Sequence, residues 1–129
     1  MATQNDNVLG ALPGAPVLLE RYGGVLLDFH DAEIISLNLS REGTSTLTIQ
    51  PFPPDNADLV HFKLENVADL ELADFSCQNV ISSLSVEQRS VDNSKPALRI
   101  RLGACYGLCG WIEAERISLE LTSGVQPPS

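Results

Sequence analysis

From Glu33 onward, apolar and polar residues alternate with a period of two. That is the signature of a strand with one buried face. Ile35, Leu37 and Leu39 fall on one face, with Ser36, Asn38 and Ser40 on the other. Arg41-Glu42-Gly43-Thr44 reads as a hairpin turn, and Thr46 to Gln50 resumes the alternation on a returning strand. Pro51, Pro53 and Pro54 end it, because proline cannot donate to a ladder. Asp55 to Asp58 is a loop. Val60, Phe62 and Leu64 mark a third strand over Leu59 to Glu65, and Asn66 suits a turn. A fourth covers Val67 to Ala73, with Leu70 and Leu72 inward and Asp69 and Glu71 outward. Leu84 and Val86 define the next, over Val80 to Glu87, and polar Gln88 to Pro96 makes a loop. Leu98, Ile100 and Leu102 then alternate with Arg99 and Arg101. Gly103 to Gly110 is a glycine-rich connection, and Ile117, Leu119 and Leu121 face inward on the last strand.

Before the strands, Met1 to Pro16 shows little periodicity and reads as a flexible arm. Val17 to Tyr22 can make a short helix after Pro16, stopped by Gly23-Gly24. Ser123 to Ser129 is a tail. The pattern predicts a single all-β domain over residues 17–122, mostly antiparallel. The expected form is a sandwich or partly open barrel of about seven strands with one short N-terminal helix. One-face hydrophobic strands favour antiparallel pairing over doubly buried parallel sheets.

Composition sharpens this. A chain of 129 residues with 43% hydrophobic content can bury roughly two thirds of its unfolded surface, so folding calls for no metal or disulfide. The formal net charge of −9 repels phosphate backbones and anionic headgroups, which argues against nucleic acid and membrane surfaces and favours a basic protein partner. The N-terminus lacks a basic region followed by an apolar core, and the three cysteines suit a reducing compartment. The expectation is a cytoplasmic protein.

Three clusters could carry chemistry. His30, Asp31 and Glu33 bring an imidazole close to two carboxylates, as a metal site or an oriented base requires. If the segment is extended, Asp31 and Glu33 point to one side and His30 to the other. The other histidine, His61, is far along the chain and is expected to face outward. The structural alternative is a corner, with His30 buried and bonded and Asp31 accepting backbone N–H bonds. Gln78-Asn79 is either an amide pair recognising a partner or a corner latch. In Cys105-Tyr106-Gly107-Leu108-Cys109 the cysteines are separated by three residues rather than the two usual in zinc and redox motifs, and Cys77 has no neighbouring histidine. Tyr106 and Trp111 flank this glycine-rich turn. Exposed, they are interface anchors; buried, they are core. No phosphate-binding loop, dinucleotide fingerprint, nucleophile elbow or zinc-protease motif is present, and no cofactor is expected.

Several of these pieces form one recurring pattern: Phe29-His30-Asp31-Ala32-Glu33, Asn66 to Leu72, Phe75, Gln78-Asn79-Val80, and Cys105-Tyr106-Gly107-Leu108 with Gly110. Over about residues 25 to 122 the chain resembles bacterial proteins of the immunity protein 50 type and related small families. The long N-terminal arm and Cys109 depart from that pattern. The resemblance implies a non-enzymatic protein that binds and neutralises a cognate toxin, and it carries no catalytic residues. Binding residues are then expected among His30, Asp31, Glu33, Gln78, Asn79, Tyr106 and Trp111. The alternatives are a small metal-dependent enzyme using His30, Asp31 and Glu33, and an oligomerisation domain, such as a homodimer pairing sheet edges.

Overall fold

A computed structural model describes residues 8–24, 29–40, 42–52, 58–76, 78–88 and 98–122. The side chains of Cys105 and Tyr106 fall outside the description. So do the expected terminal tail, residues 1–7 of the expected arm, and most of the loops expected at 55–58 and 88–96.

Six strands are present: β1 (Glu33–Asn38), β2 (Thr44–Gln50), β3 (Leu59–Ala73), β4 (Val80–Gln88), β5 (Leu98–Tyr106) and β6 (Cys109–Thr122). They form one antiparallel barrel in the order β1-β2-β3-β6-β5-β4, closed between β4 and β1. The closure is narrow. Its ladder pair is Glu33 with Val80, supported by Ile34 N–H to Asn79 O and Ile81 N–H to Ala32 O, both 2.8 Å.

The all-β antiparallel expectation holds, with six strands rather than seven. The expected third and fourth strands are one strand of 15 residues. Asn66 adopts a positive φ of 56°, as a turn residue would. However, the register shift between Val67 and Asp69 absorbs the bend as a bulge, so pairing with β6 continues to Ala73. The glycine-rich connection is also shorter than expected, because β5 runs to Tyr106 and β6 starts at Cys109.

A second bulge corrects the first strand. The register of β1 against β2 shifts between Ile34 and Ser36. Ile34 is therefore buried, Leu37 half-buried and Ile35 exposed at 49%; Leu39, past the end of β1, is exposed at 45%. One extra residue reverses the facing of everything on its far side.

Side chains from every strand fill the interior, with Phe29 against Phe62 at a ring separation of 5.6 Å. The chain from Val8 to Pro16 is not a loose arm. Leu9, in a single 3-10 turn, and Leu12 are buried in the same core as Ala15 and Leu18 of helix α1 (Ala15–Arg21). Val8 N–H bonds to Val86 O on the edge of β4 at 2.7 Å. Gly14 begins α1 at φ 93°, where a Cβ would overlap the Leu119 carbonyl. At the other end of α1, Arg21 forks onto the buried Asp58 carboxylate at 2.7 and 3.1 Å, and Tyr22 Oη donates to the same group at 3.2 Å.

Candidate functional site

The Phe29 to Glu33 segment is a turn, not an extended strand. Phe29 and Asp31 both have positive φ, 61° and 66°. For a residue as large as phenylalanine this conformation costs about 1–2 kcal/mol, and burial of its ring in the core offsets that. The turn brings His30 Nε2 to 3.7 Å from Asp31 Oδ1, with both side chains exposed. The expected opposition of His30 and Asp31 therefore fails, for lack of an extended backbone. His30 is not buried; its Nδ1 lies 3.0 Å from Ser82 O on β4. A carbonyl only accepts, so Nδ1 carries the hydrogen in this bond. The backbone of Asp31 donates to Ile81 O at 2.8 Å. Glu33 begins β1, half-buried, between Gln50 and Val80. This corner fastens β1 to β4.

His61 points outward from β3. Its ring nitrogens lie 2.9 Å from Thr48 Oγ1 and 2.9 Å from Thr122 Oγ1. Burial pushes its pKa below the usual imidazole value against the opposing pull of Glu120, and Lys63 adds to the lowering. Among the described residues, no group of three or more His, Cys, Asp or Glu lies together as a metal site would need.

Asn79 is the latch of the sequence reading. It is buried, and its Oδ1 accepts from Ser76 N–H at 3.0 Å and Leu108 N–H at 2.7 Å. Its Nδ2 donates to Ser76 O at 2.8 Å. Every bond goes to backbone, so this amide ties the segment before β4 to the β5–β6 turn. Gly107 must stay bare beside it: φ is 83°, and a Cβ would overlap Asn79 Oδ1. Gln78, its neighbour, is exposed. Cys77 lies outside the described residues, and Cys109 is half-buried as a free thiol.

Trp111 is half-buried on the outer face of β6. Arg99 of β5 stacks over its ring at 4.0 Å and reaches Glu113 at 2.6 and 2.9 Å. Glu71 of β3 lies opposite Trp111, and Asp69 opposite Glu113. This stacking was not legible in the sequence, although Arg99 and Arg101 alternating outward was its trace.

The sequence reading also missed the surface along the second half of β3. The last β2 partner of β3 is Thr44 opposite Glu65, and Asn66 N–H closes onto Gly43 O at 3.0 Å. Beyond that point, among the described residues, β3 is paired on its β6 side alone. Two open grooves follow the other edge. One of about 350 Å3 is lined by Leu39, Ser40 and Val67 to Leu70. The next, about 320 Å3, is lined by Leu37, Leu72, Ala73, Asp74, Phe75 and Leu108. Phe75 is 71% exposed, the most exposed of the large apolar side chains described. Asp69, Glu71 and Asp74 are exposed along the same stretch, and residues 66–88 contain no lysine or arginine. No protein-family model matches this chain, and no curated protein or solved structure matches it either.

Proposed function

We propose that this chain is a non-enzymatic binding module that captures a basic protein in the cytoplasm. In this reading the partner is a toxin that the chain neutralises, as the resemblance to immunity proteins implies. The observation that carries the proposal is the apolar groove ending in exposed Phe75, with Asp74 in its lining and Asp69 and Glu71 exposed along the same strand. Exposed aromatic and aliphatic groups supply binding energy once water is excluded. Carboxylates around them speed the encounter with a basic surface and reject acidic ones. Trp111, under Arg99 and opposite Glu71, extends the same surface onto the outer face of β3 and β6.

The test is capture of a partner from the chain's own host with the tagged protein, followed by co-expression with that partner in a sensitive cell. A basic protein held at low salt and released at high salt, whose toxicity the chain abolishes, is the expected result. Absence of any host partner at low salt would remove the proposal.

A further inference from the structure

β3 and β6 run on past the β1–β2 hairpin, so the stretch from Val67 to Ala73 has a partner on one side alone among the described residues. An unpaired strand edge offers a row of N–H and C=O groups spaced to receive another strand. Seven residues at ~3.4 Å each make this edge roughly 24 Å long. Beside it lie the two grooves, which present Leu39, Leu72 and Phe75 to a side chain arriving from above. The charged residues from Val67 to Asp74 are all acidic: Asp69, Glu71 and Asp74.

Resting on the binding-module reading, we propose that the partner contributes an extended, basic segment that adds to the free edge of β3 as a further antiparallel strand. Its alternate apolar side chains fill the two grooves, and its lysines or arginines meet Asp69, Glu71 and Asp74. The charge pattern selects this occupant over a second copy. Two copies pairing through this edge would bring their own acidic rows together, and like charges placed opposite one another in a sheet are destabilising. The carboxylate of Asp69 already accepts from Leu70 N–H at 2.9 Å. One amide is thereby engaged, and an incoming strand must either displace that bond or begin beyond it, toward Phe75.

The probe is a labelled nine-residue peptide alternating lysine and valine, titrated into the full chain and read by fluorescence anisotropy. Companion peptides carry two internal prolines or replace every lysine by glutamate. The lysine-valine peptide is expected to bind, and both companions to bind at least about tenfold more weakly, because proline cannot donate to a ladder and glutamate is repelled. Hydrogen exchange at residues 67–73 should slow on binding. Phe75→Ala and Glu71→Lys, both at exposed positions, should each weaken binding by about fivefold or more. The proposal is overturned by no binding at millimolar peptide, by equal binding of the proline peptide, by protection confined to other strands, or by a dimer that protects 67–73 without peptide. Partner capture from the host separates this proposal from the reading beneath it. Retention of the partner by the Phe75→Ala, Glu71→Lys double variant leaves the binding module standing and removes the edge. Peptide binding without any host partner does the reverse.

Discussion

Replacing Asn79 by alanine tests the corner most directly. The side chain makes three backbone bonds from a buried position: from Ser76 N–H, from Leu108 N–H, and to Ser76 O. Alanine leaves two donors and one acceptor without that amide. At roughly 1 kcal/mol for each bond lost, the variant should be less stable by about 3 kcal/mol. A domain of this size has about 5–15 kcal/mol in total, so it should still fold. The melting temperature should fall by roughly 10 °C. Urea unfolding followed by far-ultraviolet circular dichroism and by Trp111 emission measures the loss. Gln78→Ala, one residue away and exposed, is the control and should cost under about 0.5 kcal/mol. Asn79→Asp keeps both acceptor bonds but faces a carboxylate oxygen toward Ser76 O. Once protonated it can donate there as the amide does, so its deficit should shrink as pH falls. A loss under about 1 kcal/mol for Asn79→Ala, or one equal to the Gln78→Ala control, would refute the latch.

Gly107→Ala should destabilise by about 1–2 kcal/mol or more, because it strains a positive φ and displaces Asn79 Oδ1; unchanged unfolding would contradict the close approach. The fold favours neutral His61, whose pKa is lowered chiefly by burial, whereas the unfolded chain takes up a proton near 6.5. Its contribution is therefore complete above that value and is lost as pH falls below it toward the lower folded value. Wild type should lose stability relative to His61→Gln over that window in urea midpoints at several pH values, and parallel curves would contradict the sign. Arg99→Ala should cost about 1 kcal/mol through lost stacking and pairing and should shift Trp111 emission. An unshifted spectrum would deny the 4.0 Å contact in solution.

The alternation of β2, of β4 from Leu84, of β5 to Leu102 and of β6 from Ile117 was readable because each of these stretches has one face in the barrel interior and one outside. Single extra residues were not readable. At Ile35 and near Ala68 the period of two is broken by register shifts against a partner strand, β2 in the first case and the distant β6 in the second. Asn66 carries the same backbone signature in a turn and in a bulged strand, so the sequence could not choose between them. The packing of Leu9 and Leu12 was hidden for a different reason: a 3-10 turn and a helix entry leave too few residues for a period to show. At the site, a buried amide beside a corner suggested a latch, but its partner Leu108 is 29 residues away and no local rule finds it. His30 and Asp31 were misjudged because nothing in Phe29 announces a positive φ.

The strand lengths explain why this barrel has an exposed strand edge. β3 and β6 have 15 and 14 residues, whereas β1 and β2 have 6 and 7. Stagger in a closed barrel lets a long strand change neighbours along its length; β6 passes on to β5 from Gly110 to Ala114, whereas β3 past Glu65 keeps β6 alone among the described residues, with an inner face packed against the core. Leu70 and Leu72 stand on that face, half-buried. Sheet proteins blunt such edges with charges, bulges or covering loops, and the bulge and Asp69 do part of this here. Solubility alone does not account for Phe75, whose 71% exposure adds apolar surface where the acidic residues would otherwise make the edge safe. The basic, partly apolar strand proposed above would cover both features at once. The Asn79 latch supports this arrangement, since it holds Ser76, the residue next to Phe75, against the β5–β6 turn and so offers the aromatic ring from a fixed support.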